Sequence, residues 1–221
     1  MKIDFVSDVA CPWCAVGLNA LEQALAKVAP EIEATLHFQP FELNPKMPPE
    51  GQDIVEHVTQ KYGISAEQVK ASTDNIRQRG AEVGFRFGID KRSRIYNTFD
   101  AHRLLLWAAL QGPTQQRRLK HGLLKAYFTH GQNPSDHEVL RQAAADAGLD
   151  ADAAAALLAS DHYHAEVRQA QAFYLEQRIH SVPAIIINDR HLISGGQPAA
   201  VFERALRHIA EVAASQAAAS A

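Results

Sequence analysis

Ile3 to Val6 alternate about the chain axis and are rich in β-forming residues, which predicts a first strand ending at Ser7-Asp8. From Cys11 the period changes. Leu18, Leu21, Leu25 and Val28 recur at three- and four-residue spacing, predicting a helix that Pro30 stops. Over 34–41, Leu36, Phe38 and Pro40 alternate with Thr35, His37 and Gln39, predicting a second strand. The chain therefore opens as strand, helix, strand.

Between Asn44 and about Ala170 the pattern is helical throughout. Ser65 with Gln68, and Ser135 with Glu138, have the spacing of capping boxes, which satisfy free amide donors at helix starts. Leu119, Leu123, Leu124, Tyr127 and Phe128 form one apolar stripe. Leu104 to Trp107 is apolar nearly all round, which predicts burial, and Gly148 after Ala147 marks a helix stop. After a helix ending near Arg178, Val182 to Ile187 reads as a strand buried on both faces and opened by Pro183. Asn188-Asp189-Arg190 is a turn and 191–194 a short partner strand; Val201, Phe202, Ala205, Leu206, Ile209 and Val212 form the apolar face of a closing helix. The tail from Ala213 is of low complexity. The division expected is one α/β domain from 1–44 and 171–215, interrupted by an inserted helical domain over 45–170.

Composition narrows the function classes. With 221 residues, 47% hydrophobic and 21% charged, the chain can bury a core and reads as an ordinary globular protein with no run of ~20 apolar residues. A net charge of −3 offers no basic surplus for phosphates, which argues against nucleic-acid or anionic-membrane partners. The first eight residues contain acidic positions and no apolar signal region of ~7–15 residues, so a cytoplasmic location is expected. The only two cysteines, Cys11 and Cys14, lie three apart and are too close in sequence to staple a fold.

That pair carries the candidate chemistry. Disulfide exchange needs a thiolate, and a helix start, with its unpaired amides and positive dipole end, stabilises one. With Cys11 as N-cap and Pro12 as first helical residue, Cys14 falls one turn inside, where its thiol can attack a mixed disulfide on Cys11. Trp13 shields the pair and gives partners an apolar rim. Two bland alternatives stand beside this: half of a zinc site completed by histidines such as His162 and His164, and two buried structural thiols. Pro183 is the second element. A cis Pro183 would present the backbone of Val182 as an edge that holds an extended peptide beside Cys11. An arbitrary X-Pro bond is trans about 95% of the time, so this expectation rests on the pairing with the cysteine motif.

The ordered set Ser7-Asp8-Val9, Cys11-Pro12-Trp13-Cys14 with Gly17, and Pro40-Phe41-Glu42-Leu43-Asn44-Pro45 resembles the DsbA-like branch of the thioredoxin superfamily, nearest its FrnE-like group. Asn97-Thr98, Ala101-His102-Arg103, Ala126-Tyr127-Phe128, Ser181-Val182-Pro183 and Ser194-Gly195 with Gln197-Pro198 extend that resemblance over nearly the whole chain. It implies a thioredoxin-like α/β fold with an inserted α-helical domain and a cis Pro183. It also implies exchange at Cys11 with Cys14, and a substrate cleft drawing on Pro12, Trp13, Val182, Pro183 and His102. No separate cofactor is implied beyond the redox-active disulfide, with glutathione as a candidate co-substrate and protein or peptide thiols and disulfides as partners. Relatives often carry Gly-Val before the cis proline; here His180-Ser181-Val182 makes that loop stiffer or more polar.

Periplasmic oxidases of this superfamily typically look like C-P-H-C, where the imidazole helps hold the thiolate; Trp13 brings no such charge, so reductase or isomerase work in a reducing compartment is the expected direction. His102, Asn97, Arg103 and Glu42 carry bland readings beside functional ones: a hydrogen-bonded structural histidine set against tuning the thiolate or touching substrate, a helix cap, a surface ion pair, and an exposed carboxylate set against a proton acceptor for Cys14. Gly195 turns the chain so that Gln197 and Pro198 start the last helix. The runner-up function resembles 2-hydroxychromene-2-carboxylate isomerases and kappa-type glutathione transferases, where a serine commonly stands at the position of Cys11 and Cys14 would be dispensable. A redox-silent binding module is the third.

Overall fold

The computed structural model describes residues 1–219, side chains excepted at residues 89 and 217–219. Strand β1 (Lys2–Ser7) runs into helix α1 (Pro12–Val28), and β2 (Thr35–Pro40) returns parallel to β1, pairing Phe5 with Phe38. Near the other end of the chain, β5 (Ala184–Ile187) pairs antiparallel with β1, and β6 (His191–Ser194) pairs with β5, giving the order β2-β1-β5-β6. Asn188 and Asp189 make the hairpin turn with φ of 52° and 56°, a region that Asn and Asp tolerate. Helix α9 (Ala199–Ala219) packs on α1 through Phe202, Leu206 and Ile209.

Strand alternation divides the sheet faces. Ile3, Phe5, Ile185 and Ile187 join α1, α9 and Leu124, Tyr127 and Phe128 of α5 (Pro113–Phe128) in one core, so the expected α5 stripe divides between two cores. Val6 and Ala184 face the other way, against Tyr174 and Ile179 at the end of α8 (His164–Glu176). Burial of side chains such as Phe5 or Leu124 contributes about 1.5–3 kcal/mol each to holding these layers together.

Between β2 and β5 lie a two-residue ribbon, β3 (Gln52–Asp53) with β4 (Arg94–Ile95), and helices α2 (Ile54–Tyr62), α3 (Ala66–Glu82), α4 (Phe99–Gln111), α6 (His137–Asp146) and α7 (Ala151–Leu158), together with α5 and α8. A second core of Leu104, Leu105, Leu119, Leu123, Leu140 and Leu157 binds α4 to α7, and Val9 from the loop after β1 plugs into it. Leu104 and Leu105 are buried, while Leu106 and Trp107 are half-buried. The Ser65–Gln68 capping box is formed at the start of α3. The second expected box is not. Asp136 caps α6 by accepting the Glu138 amide at 2.8 Å, and the Ser135 hydroxyl donates to the carbonyl of Asn97 instead. An aspartate one residue nearer the helix closes the shorter cap.

The edge of the sheet at β2 is covered by a side chain. Gln116 of α5 donates to the Phe38 carbonyl at 3.1 Å and accepts its amide at 3.1 Å, standing where a neighbouring strand would. Its amide also donates to the Leu105 carbonyl at 3.2 Å, tying α4 into the same junction.

Candidate functional site

The loop after β1 is built around Asp8. Its Oδ1 accepts the Ala10 amide at 3.0 Å and the Thr98 hydroxyl at 2.8 Å, and its Oδ2 accepts the Leu43 amide at 2.7 Å. One carboxylate thus fixes the run into α1, the end of β2 and the start of α4. Burial opposes ionisation of Asp8, but His102 together with the amides of Leu43 and Ala10 outweighs it and holds the carboxyl below its ordinary range. His102 Nε2 stands 3.6 Å from Oδ1, beyond hydrogen-bonding distance, so its influence is electrostatic rather than through a formed bond.

Cys11 is the N-cap of α1, with extended backbone (φ −92°, ψ 114°), and Pro12 occupies the first turn. Proline fits there because the amide it lacks would have had no helical partner. Both cysteines are free thiols; Cys11 is 3% exposed and Cys14 wholly buried, its amide bonded to the Cys11 carbonyl at 3.1 Å. Cys11 holds the expected N-cap position, but no amide bonds its sulfur in the thiol form; Sγ lies 3.5 Å from the Val182 carbonyl, to which the thiol donates. Burial, followed by the neighbouring Cys11, pushes the Cys14 thiol well up.

The Val182–Pro183 bond is cis. Strand β5 begins at Ala184 rather than at Val182 because the two preceding carbonyls are used elsewhere: Val182 receives Cys11, and Pro183 accepts the Gly195 amide at 2.8 Å. Ile186, on the face expected to be buried, is only half-buried. Close packing keeps this loop against α1. A methyl on Gly17 would lie 3.1 Å from Pro183 Cγ, and one on Gly196 would lie 2.9 Å from the Trp13 carbonyl oxygen. Gly196→Ala is therefore expected to push the 195–197 loop off Trp13 and destabilise the fold by about 1–3 kcal/mol. Urea unfolding of the reduced protein checks this, and an unchanged midpoint would show that the loop yields freely.

A cleft of about 710 Å³ opens beside Cys11, lined by Pro12, Trp13, Phe41 and Val182 on one side and by Ile54, Val58 and Tyr62 on the other. Lys61 enters it with Nζ donating to the Leu43 carbonyl at 2.8 Å and Asn44 Oδ1 at 2.7 Å; burial pulls its amine below the ordinary lysine range, against the charges of Asp8 and Cys11. Tyr62 is pushed up by partial burial and by Cys11.

Of the expected substrate-contacting residues, Pro12, Trp13 and Val182 line this cleft and Pro183 packs behind it. His102 does not line it: the ring is 2% exposed, with Nε2 beside the buried Asp8. Asn97 is a cap, Oδ1 accepting the Phe99 amide at 2.8 Å. Arg103 is buried, not a surface partner; it binds Asp100 and the carbonyls of Leu157, Ser160 and His162, closing the loop after α7. Glu42 is buried rather than exposed, and its partners are Arg168 and Gln171 of α8. His162 bonds Ser160 Oγ at 2.8 Å and His164 packs on Phe99, so neither joins the cysteines, and among the described residues no group of three metal-ligating side chains forms.

Asp8, Thr98 and Lys120 are the neighbours the sequence reading missed. Lys120 is wholly buried on α5, whose Leu124 and Tyr127 share one core with Cys11 and Cys14, and its amine is pulled down by burial against the charges of Cys14, Asp8 and Cys11. The signal was present: position 120 lies four and seven residues before Leu124 and Tyr127, on the stripe itself.

The family profile described as DSBA-like thioredoxin domain matches residues 2–207. A crystal structure of a probable DsbA oxidoreductase from Streptomyces coelicolor is similar at 33% identity and TM-score 0.86, over 94% of this chain and 89% of that one. The uncharacterized protein YwbO of Bacillus subtilis is 27% identical over 220 residues, covering 93% of this chain and 96% of its own. A 2-hydroxychromene-2-carboxylate isomerase shares the fold at 16% identity and TM-score 0.69, over 98% and 99% of the two chains.

Proposed function

This chain belongs to the DSBA-like thioredoxin domain family, and from that premise we propose that it exchanges disulfides through Cys11 as nucleophile and Cys14 as resolving thiol. The observation that carries the reading is the seating of Cys11: N-cap of α1, at the mouth of a cleft, with Sγ 3.5 Å from the Val182 carbonyl and Cys14 one turn below. In the reducing direction the Cys11 thiolate attacks one sulfur of a substrate disulfide, and the other sulfur leaves as a thiolate that takes up a proton. Cys14 then attacks Cys11 Sγ, the second substrate thiol departs, and the Cys11–Cys14 disulfide remains. Two electrons and two protons pass to the substrate; the oxidising direction is the reverse.

The substrate class proposed is a protein or peptide disulfide, with glutathione as donor or co-substrate. An apolar rim at Trp13 and Phe41 beside the cation of Lys61 supports an extended peptide bearing a carboxylate. Assignment to the FrnE-like group, a cytoplasmic location and net reduction or isomerisation complete the reading, supported by the motif set and by the uncharged Trp13 between the cysteines. So does the division into 1–44 with 171–215 and an insert at 45–170. Among the described residues no helix is long and apolar enough to cross a membrane.

Equilibration in graded glutathione buffers, followed by alkylation and mass measurement, tests the reading together with insulin reduction. Cys11 and Cys14 are expected to change state together in one two-electron step, and the dithiol to reduce insulin. No Cys11–Cys14 disulfide at any buffer ratio, alongside isomerase turnover of 2-hydroxychromene-2-carboxylate, would replace it with the isomerase reading.

A further inference from the structure

We propose that Lys120, supplied by helix α5 of the insertion, is the proton acceptor that converts Cys14 to the attacking thiolate in the second half of exchange. The inference rests on the exchange reading above. Lys120 is 0% exposed, and its Nζ has no hydrogen-bond partner among the described residues. An ammonium ion in that position is penalised by several kcal/mol, whereas a neutral amine costs far less and keeps a lone pair. An apolar side chain at position 120 would fill the same space on the stripe of α5 with no such penalty.

Cys14 needs an acceptor because burial holds its proton on, and that burial persists in the mixed disulfide. The other buried candidates fit the role less well. Asp8 spends both oxygens on the Ala10 and Leu43 amides and the Thr98 hydroxyl, and His102 with those two amides favours its ionised form against burial. Glu42 is bound through Oε2 to Arg168 and Gln171 of α8; its Oε1 has no partner, but the charged arginine beside it favours the carboxylate, and Glu42 is not among the leading groups that act on Cys14. His102 Nε2 of α4 also has no hydrogen-bond partner, but it stands 3.6 Å from Asp8 Oδ1 and is not among the leading groups that act on Cys14. On α5 itself, Arg117 and His121 are paired with Glu22 of α1 on the outer side. The groups that act on Lys120 are Cys14, Asp8 and Cys11, in that order.

The step balances. In the mixed disulfide, the lone pair of Lys120 Nζ takes the Cys14 Sγ proton, by rotation of the lysine terminus or across one water. The thiolate attacks Cys11 Sγ, the Cys11–substrate S–S bond breaks, and the Cys11–Cys14 bond forms. The departing substrate thiolate then takes up a proton, and the Lys120 ammonium returns its own to solvent or to that thiolate. No further oxidant or reductant enters.

Single-turnover reaction of the reduced chain with glutathione disulfide, quenched in acid and read by mass, resolves the two halves. Lys120→Met should form the Cys11–glutathione adduct at the wild-type rate but clear it about a hundredfold more slowly, within the usual range for loss of general base catalysis. Clearance in the wild type should rise with pH through the amine, and in Lys120→Met through the higher-titrating Cys14. Lys120→Arg, whose guanidinium stays protonated, should be as slow as Lys120→Met.

Wild-type clearance in either variant, or rescue by arginine, would overturn the proposal, the latter by showing that a fixed positive charge suffices. Equal slowing of both halves would reduce Lys120 to a structural role. Should both variants misfold, the 13Cε resonance of Lys120 in the unsubstituted reduced chain decides: a neutral amine at mildly alkaline pH is expected, and an ammonium throughout would overturn it. A wild-type chain that forms no adduct at all would instead count against the exchange reading.

Discussion

Cys11→Ser is expected to lower insulin reduction by at least about a thousandfold, because a hydroxyl in place of the nucleophilic thiol removes the covalent step itself rather than tuning it. Cys14→Ser should behave differently. Cys11 can still attack, so the adduct forms, but nothing beneath it displaces the bound sulfur, and the chain accumulates as a mixed disulfide that only added thiol releases. Mass measurement after brief exposure to glutathione disulfide separates the two: an adduct on Cys14→Ser and none on Cys11→Ser. The burial of Cys14 sharpens the contrast, since it has no direct access to a bulky substrate and must act through Cys11. Retained turnover in Cys11→Ser would remove the nucleophile from that position. Full turnover in Cys14→Ser would point to a monothiol route of the isomerase kind.

Asp8→Ala is expected to destabilise the reduced protein by about 3–5 kcal/mol, since it strands three buried donors, each costing about 1–3 kcal/mol unpaired, with some relief from relaxation. Those donors are the Ala10 and Leu43 amides and the Thr98 hydroxyl. Against a total stability of about 5–15 kcal/mol for a domain, that is a large share. The pH dependence has a definite sign. The folded carboxyl binds its proton less readily than the unfolded one, so the stability it contributes is fully present above about pH 4, the unfolded value, and is lost as pH falls through the lower folded value. Denaturation curves below pH 4 should therefore fall more steeply for the wild type than for Asp8→Ala, while Asp8→Asn, which keeps acceptor oxygen at one position, should lose less at neutral pH. A loss under about 1 kcal/mol for alanine would show that the loop holds by packing alone.

How far the chain disclosed its own structure depended on the range of the interaction involved. Periodicity located β1, α1, β2, the β5–β6 hairpin and α9 because each buries one face, and the Ser65–Gln68 cap because its partners sit within one turn. It misplaced the start of α6, where Asp136 and Ser135 are adjacent and both able to cap, and the start of β5, where tertiary partners claim the Val182 and Pro183 carbonyls. The cysteine pair and the 182–183 loop were legible through motif spacing. The polar surroundings of the pair were not: Asp8 and Lys120 lie far apart in the chain, and only folding brings a buried amine and a buried carboxylate to act on the same two sulfurs. Arg103 and Glu42 were misread for the same reason, their partners lying tens of residues away.

The Gln116 contact sets a limit on how copies of this protein can associate. By answering both polar groups of Phe38 with one side-chain amide, it removes the register an incoming strand would need at that margin, so no continuous sheet can grow outward past β2. Lateral growth by strand addition is left only to the far margin at β6, a four-residue segment whose Leu192 side chain stands half in solvent.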